Sequence, residues 1–206
     1  MEQQKNHWEK IYSTKRAEEV SWTQVVPKTS LDFIHYANLN KSAKIIDVGG
    51  GDSRLVDYLL DEGFEDVTIL DISEQALIRA KKRLGKKANK VNWIISDITE
   101  FQPANTYDFW HDRAAFHFLT TESQIVKYIS IARQAVKEDG YVTIGTFSTD
   151  GPQKCSGLDI KQYSEETLTA VLENGFYKMQ CVVEDHITPF DTTQNFVFCS
   201  FRRKAS

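Results

Sequence analysis

Little in this 206-residue sequence points to a membrane, a secretory pathway or a nucleic acid. No apolar run approaches the roughly 20 residues of a membrane span, and no apolar segment follows the polar first six residues, so we predict no signal peptide. A net charge of −4 argues against general affinity for nucleic acid phosphates. Three cysteines without C-x-x-C spacing (Cys155, Cys181 and Cys199) predict a reducing cytoplasm, with neither a disulfide framework nor a bound metal.

The most informative stretch is a glycine-rich turn that follows a short apolar strand. Residues 44–48 form a compact and mainly β-branched run, which is typical of a parallel strand that is covered on both faces. Gly49, Gly50 and Gly51 then allow the backbone to turn sharply and to approach a ligand closely, because no Cβ stands in the way. Ser53 is a candidate N-cap for the helix that follows.

Two carboxylates and one arginine indicate which ligand this turn suits. A dinucleotide-binding G-x-G-x-x-G motif would need glycine at position 54, where this chain has Arg54. Asp47 ends the first strand, and Asp71 ends the next apolar run. Asp71 lies 71 − 51 = 20 residues after Gly51, the spacing at which a carboxylate meets a ribose diol. Ser73 is expected to cap the helix after Asp71.

This pattern resembles motif I of the class I S-adenosylmethionine (SAM) dependent methyltransferases, an acidic residue followed by G-x-G-x-G. Ser53 stands where the third glycine of that motif would be. The resemblance implies a single-domain α/β, Rossmann-like class I methyltransferase fold, with a mostly parallel seven-stranded sheet and a C-terminal antiparallel hairpin. The short connection between the strand-like segments 177–187 and 195–202 also permits only a hairpin. The implied cofactor is SAM, with S-adenosylhomocysteine as its product.

The first forty residues are rich in aromatic side chains. Trp8, Tyr12 and Trp22 resemble the W-x-x-x-Y…W segment that covers the cofactor in methyltransferases of the thiopurine and tellurite-resistance branch. Aromatic faces attract a sulfonium cation, which supports the same interpretation. We therefore predict residues 1–40 to be a lid and residues 41–206 to be the methyltransferase domain. The alternative is that these aromatic residues simply pack against the core.

A third strand, residues 91–97, ends in another acidic residue. In the resembled family a carboxylate at the place of Asp97 accepts a hydrogen bond from the adenine amino group; the alternative is that Asp97 caps the next turn. The full set of cofactor contacts implied by the resemblance is Trp22, Asp47, Gly49, Gly50, Gly51, Ser53, Asp71, Ile72, Asp97, Ile98 and His111.

A fourth strand, from residue 107, runs into a turn that carries the predicted catalytic residues. The segment resembles motif IV of thiopurine-like and protein-lysine methyltransferases, and ligands of open α/β sheets lie beyond the carboxyl ends of the strands. We therefore predict that Asp112 and Arg113 face the substrate and that His117 is the candidate base. The alternatives are that Asp112 and Arg113 fix the turn and that His117 packs. The N-P-P-[YFW] motif of adenine and glutamine methyltransferases is absent from this segment.

Several element boundaries follow from capping residues and periodicity. A helix is expected to begin at Ser30 and to run to Ala37, and Thr121 is expected to cap a helix that ends at Gly140. Residues 141–147 read as a fifth strand, residues 148–162 as a long polar loop, and Ser164 as the cap of a last helix.

Three functions are compatible with these observations. The first is methyl transfer to a small-molecule nucleophile (a thiol, an amine or a carboxylate), which the short chain without an added substrate domain favours. The second is protein lysine methylation, because the G-x-G-D-S turn and the segment after Asp71 resemble that branch. The third is SAM binding without catalysis. We predict a cytoplasmic monomer or weak homodimer that binds no nucleic acid and no membrane.

Overall fold

The computed structural model describes residues 2–205, which form an α/β fold. Its α-helices are α1 Glu2–Thr14, α2 Lys28–Tyr36, α3 Leu55–Asp61, α4 Glu74–Leu84, α5 Glu122–Ala135 and α6 Glu165–Leu172. Its strands are β1 Lys44–Val48, β2 Asp66–Asp71, β3 Val91–Ile95, β4 Tyr107–Arg113, β5 Val136–Phe147, β6 Lys154–Cys155, β7 Leu158–Asp159, β8 Phe176–Ile187 and β9 Thr193–Arg203. Short 3₁₀ turns span Ala17–Glu19, Gly85–Lys90, Ile98–Glu100 and Phe116–Phe118.

Seven strands form the central sheet in the order β3-β2-β1-β4-β5-β9-β8. Strands β1 to β5 pair in parallel, whereas β9 pairs antiparallel with both β5 and β8. This arrangement confirms the predicted sheet and its C-terminal hairpin. Because parallel strands end at the same edge, the carboxyl ends of β1 to β4 bring their loops together there.

Alternating side chains of each strand reach opposite faces of the sheet and build two cores. In β1, Ile45 packs with α2, α3 and α4 on one face, and Ile46 packs with α5 and α6 on the other. Both isoleucines are fully buried. The β-branched run of β1 is therefore covered by helices on both sides, as its composition predicts.

Three of the predicted helix caps are present. The side chains of Ser73, Thr121 and Ser164 accept hydrogen bonds from backbone N–H groups in the first turns of α4, α5 and α6, respectively. Each bond satisfies an N–H group that has no partner within its helix. Gly85 follows the end of α4 with a positive φ of 56°, as expected for a helix C-terminus.

Three predicted boundaries are wrong. The N-cap of α3 is Arg54 rather than Ser53, although the Ser53 hydroxyl accepts a 3.1 Å hydrogen bond from the Leu55 N–H. Ser30 lies inside α2, whose N-cap is Pro27, because the Ser30 hydroxyl bonds a buried side chain rather than the helix backbone. Helix α5 ends at Ala135 instead of Gly140, since Val136 already pairs with Tyr107 of β4. The predicted polar loop after β5 also contains the small β6–β7 hairpin.

The expectation of unpaired cysteines is wrong for two of the three. Cys181 of β8 and Cys199 of β9 lie directly opposite each other in the antiparallel register, with a Cα–Cα distance of 4.1 Å, and form a disulfide. Spacing along the chain could not reveal this pair, because the strand register creates it. Cys155 is free and buried. No helix within residues 2–205 is long and apolar enough to cross a membrane.

Candidate active site

The three glycines after β1 make close approaches that a larger residue would prevent. Gly49 and Gly51 have positive φ values of 65° and 45°. A Cβ on Gly49 would lie 2.5 Å from the Cβ of Ala115, and one on Gly51 would lie 2.9 Å from the hydroxyl of Tyr12. Any side chain at these positions would clash or be strained. The turn therefore packs closely against Ala115 and Tyr12, and only glycine fits at these positions.

Two cavities meet at this turn. The first cavity has a volume of about 110 Å³ and reaches from the ends of β2 and β3 to the end of β4. The second cavity, of about 610 Å³, lies on the other side of Gly49, Tyr12 and Trp22, which line both. Of the predicted cofactor contacts, the first cavity contains Trp22, Gly49, Asp71, Ile72, Asp97 and Ile98. The second contains Trp22, Asp47, Gly49, Gly50, Ser53 and His111.

Asp71 lines the first cavity at the end of β2 and is 6% exposed. Its Oδ1 accepts a hydrogen bond of 2.8 Å from the Ser73 backbone N–H, and its Oδ2 lies beside Gly51. Burial, helped by the charges of Asp47 and Glu9, raises the pKa of Asp71 to about 7 despite the hydrogen bond from Ser73. A ligand that donates hydrogen bonds to this carboxylate would stabilise its ionised form.

Asp97 lines the same cavity just beyond the end of β3. Its Oδ1 accepts hydrogen bonds of 2.8 Å from both the backbone N–H and the hydroxyl of Thr99, so Asp97 caps the short turn that follows. Within residues 2–205, Oδ2 makes no hydrogen bond. The two predicted roles of Asp97 are therefore compatible, because one oxygen holds the turn while the other stays available for a ligand.

Asp47, His111 and Ser30 form a buried hydrogen-bonded chain beside the second cavity. His111 Nδ1 lies 2.7 Å from Asp47 Oδ1, and His111 Nε2 lies 2.9 Å from the Ser30 hydroxyl. All three residues are at most 3% exposed. Asp47 Oδ2 is buried without a hydrogen-bond partner in the described part of the chain. This free oxygen is suited to a positively charged or hydrogen-bond-donating ligand group, since an unpaired buried acceptor is costly.

Arg113 ends β4 and lines both cavities. Its Nη1 donates a hydrogen bond of 2.9 Å to the carbonyl of Trp22, and its guanidinium lies 4.8 Å from the centre of the Phe196 ring. The Nε and Nη2 atoms are buried and make no hydrogen bond among residues 2–205. Burial lowers the pKa of Arg113 to about 10, while Glu184, Cys155 and Asp47 oppose that shift. Arg113 is thus a cation at the junction of the two cavities.

The structure does not support the predicted catalytic roles of Asp112 and His117. Neither residue lines a cavity, and both are completely buried. Asp112 accepts hydrogen bonds from the N–H groups of Ala115 and Phe116 and from the Tyr128 hydroxyl, so it fixes the turn, as the alternative interpretation states. Burial raises the pKa of Asp112 to about 6.

His117 is held against Phe147 under the surface. The two rings stack with centroids 4.6 Å apart, and His117 Nδ1 accepts a 3.4 Å hydrogen bond from the Phe147 N–H. Burial, followed by the charge of Arg113, lowers the pKa of His117 to about 3. His117 is therefore neutral at physiological pH and lines neither of the two cavities.

Helix α1 and the segment after it cover the first cavity with aromatic rings. The Trp8 ring contacts those of Trp22 and Phe118, with centroids 5.6 Å and 5.1 Å apart, and Tyr12 packs 6.3 Å from Trp22. Tyr12, Ala115, Phe118 and Cys155 line the cavity but were absent from the predicted contacts. The aromatic pattern of the first forty residues signalled one of them, Tyr12.

The geometry shows no arrangement for a metal. Within residues 2–205, no three His, Cys, Asp or Glu side chains are grouped so that they could hold an ion. What the two cavities offer instead is the carboxylates of Asp47, Asp71 and Asp97, a glycine turn, aromatic faces and one buried cation.

Comparisons with known proteins agree with this geometry. Residues 45–140, from β1 into β5, match the family described as "Methyltransferase domain". The chain is 21% identical over 141 residues to the mouse eEF1A lysine and N-terminal methyltransferase. The aligned region covers 68% of this chain but only 20% of the mouse protein. The chain thus spans about a fifth of that relative's length.

Two solved structures have the same fold over nearly the whole chain. A SAM-dependent methyltransferase from Anabaena variabilis superposes with a TM-score of 0.75 at 16% identity, covering 98% of this chain and 94% of the other. The 1,6-didemethyltoxoflavin-N1-methyltransferase of Burkholderia thailandensis, solved with bound 1,6-didemethyltoxoflavin and S-adenosylhomocysteine, gives a TM-score of 0.69 at 19% identity. The match covers 98% of this chain and 85% of the other.

Residues 45–140 thus match a methyltransferase domain, and the described chain has the same fold as solved SAM-dependent methyltransferases. The predicted class and fold are therefore confirmed. Its assignment to the thiopurine and tellurite-resistance branch stays a prediction.

Proposed function

We propose that the protein transfers a methyl group from SAM to a small-molecule nucleophile. One observation carries this proposal: Asp71 and Asp97 end the neighbouring strands β2 and β3 and line one cavity, between the glycine turn and the aromatic residues of α1. That arrangement suits an adenosine, because the first carboxylate can accept from both ribose hydroxyls and the second from an adenine amino group.

The second cavity suits the amino-acid end of the same cofactor. Asp47 Oδ2 is a buried acceptor without a partner in residues 2–205, and it lies beside the open turn at Gly50. His111, whose other ring nitrogen bonds Ser30, holds the other Asp47 oxygen and so orients this carboxylate toward an ammonium group. Arg54 and Lys82 line the second cavity and are exposed cations. They could pair with the carboxylate of the cofactor's amino-acid end. SAM supplies an electrophilic methyl group on its sulfonium when it is bound.

The acceptor would enter where the first cavity reaches the end of β4. Arg113, Ala114, Phe118 and Cys155 line that side. Since Asp112 and His117 lie outside the cavity, the protein contributes position and exclusion of water rather than a base. Orientation of this kind is worth on the order of 7–11 kcal/mol. A thiol or carboxylate that ionises readily suits such a site best, and the positive charge of Arg113 disfavours a protonated amine.

Methylation of a protein amine is the second candidate function. It is supported by the similarity to the mouse protein, whose name gives lysine and N-terminal amine methylation as its activity. The small-molecule function is supported by the limited volume of the first cavity and by the helix that covers it. Under either function we propose a cytoplasmic monomer or weak homodimer in which residues 1–40 act as a lid. SAM binding without catalysis is the third candidate.

Calorimetry tests the cofactor first, with SAM expected to bind in the micromolar range and NAD not at all. NAD binding without SAM binding would contradict the proposal. Radiolabelled SAM is then incubated with a panel of thiols, carboxylates and amines, and separately with a cell lysate. Label in a small thiol or acid supports the proposed function, label in a protein band supports the second candidate, and SAM binding without any transfer supports the third.

A further inference from the structure

Helix α1 covers the first cavity, although none of its residues is fully buried. The half-buried rings of Trp8 and Tyr12 pack against Trp22 and Phe118. Polar contacts with α4 add to this packing and fix where α1 lies.

Glu9, in the middle of α1, binds the N-terminus of α4. Its carboxylate accepts hydrogen bonds from the Ser73 hydroxyl at 3.0 Å, the Glu74 N–H at 2.8 Å and the Gln75 N–H at 3.1 Å. These N–H groups belong to the first turn of α4 and have no partner within that helix. The negative charge of Glu9 also lies at the positive end of the α4 dipole, where it is favourable.

Arg79, one turn further along α4, binds the other end of α1. Its Nη1 donates hydrogen bonds to the carbonyl of Tyr12 at 3.3 Å and to the carbonyl of Lys15 at 2.7 Å. Its Nη2 forms a 3.0 Å ion pair with Asp52 of the glycine turn. Helix α4 therefore holds α1 at two places, and the second of them includes the backbone of the cavity-lining Tyr12.

The contact at Glu9 also leads directly to the ribose site. Ser73 donates its hydroxyl to Glu9 and its backbone N–H to Asp71 Oδ1. Ser73 thus contacts both Glu9, which holds α1, and the Asp71 carboxylate, whose orientation it fixes. Trp8, adjacent to Glu9, places its ring over the cavity.

We infer that Glu9 and Arg79 are positioning residues that latch α1 closed over the cofactor and thereby set how fast the cofactor leaves. This inference rests on the proposed function, because it takes SAM to be the ligand of the first cavity. Trp8 and Tyr12 of α1 line that cavity, and on this inference the release of SAM requires the latch to open.

The test compares Glu9→Gln with Glu2→Gln, which removes the same charge from the exposed start of α1. Glutamine keeps one acceptor oxygen but turns a donor NH₂ toward donor N–H groups, so the latch is weakened without shortening the side chain. Stopped-flow measurements should show SAM dissociating at least about tenfold faster from Glu9→Gln, with an unchanged or higher association rate. Glu2→Gln should match the wild type. A merely structural defect would instead lower the association rate or the fraction of protein that binds.

Hydrogen exchange of the ligand-free protein gives a second readout that does not depend on SAM. Amides of α1 should exchange faster in Glu9→Gln than in the wild type and in Glu2→Gln. If the wild type fails to bind SAM, the proposed function is wrong, and exchange alone decides whether the latch exists. Equal exchange in the two variants would overturn the latch, and so would equal dissociation rates in a protein that binds SAM.

Discussion

Replacing Asp71 with asparagine should make the ligand-free protein more stable while weakening the binding of SAM. The pKa of this carboxyl rises from 3.8 to about 7 on folding, chiefly because it is buried. The folded-state pKa lies above the unfolded value, so the protonated form of Asp71 favours the folded state. Its contribution to the free energy of unfolding is complete below about pH 4 and is lost as the pH rises to 7 and above. At pH 8 the ionised group destabilises the folded protein by roughly 4 kcal/mol, because each tenfold change in acidity between the folded and unfolded states is worth about 1.4 kcal/mol.

Thermal unfolding at several pH values measures this cost. The free energy of unfolding of Asp71→Asn should exceed that of the wild type by roughly 3 kcal/mol more at pH 8 than at pH 5. This corresponds to several degrees in melting temperature. Asp66→Asn, at the opposite end of β2, shows how much the loss of a carboxylate alone changes stability. An advantage that is the same at both pH values would refute the reasoning.

Calorimetry of the same variant should show SAM binding weakened by about 1.5–3 kcal/mol, the range for hydrogen bonds to a charged group. Asparagine offers one acceptor and one donor group where two ribose hydroxyls both need an acceptor. Unchanged affinity would mean that Asp71 belongs to the turn alone and that the adenosine lies elsewhere.

Three further predictions concern the lid and the acceptor side. Amides between Trp8 and Trp22 should exchange more slowly when SAM is added, whereas equal protection would indicate plain packing. Arg113→Lys should bind SAM normally but turn over at least tenfold more slowly, about 1.4 kcal/mol in the barrier, because lysine lacks the planar set of donors of a guanidinium. A parallel fall in SAM affinity would mean that Arg113 is structural. The pH dependence of the rate should show no inflection from His117 near pH 6.5, since the pKa of His117 is lowered to about 3. An inflection near pH 6.5 that disappears in His117→Gln would contradict the buried position of this side chain.

The sequence contained enough local information for the strands and most of the helix starts. Caps such as Ser73 and Thr121 are read from a few neighbouring residues, and the bonds they make are local as well. Ser30 looked the same in the sequence but bonds His111, which is 81 residues away. Local patterns cannot distinguish a hydroxyl that caps its own helix from one that bonds a distant partner.

The candidate site was likewise predicted only where its residues follow from local sequence patterns. Asp71 and Asp97 were found because each ends a strand, and parallel strands end at one edge. Asp112 also comes at a strand end, but it turns inward because Tyr128 and the N–H groups of the next turn satisfy its carboxylate. Glu9 gave no signal, since its partners lie more than sixty residues along the chain.

The position of β9 between β5 and β8 has a consequence for how the chain is made. Helix α6 and β8 leave the ribosome before β9, yet β8 has no partner in the parallel sheet, and only β9 joins it to β5. Until residues 193–203 emerge, β5 is an open edge and β8 has no strand with which to pair. The nascent protein therefore passes through a stage at which unpaired edges favour association with other chains, and a chaperone that binds extended apolar segments would act at that stage.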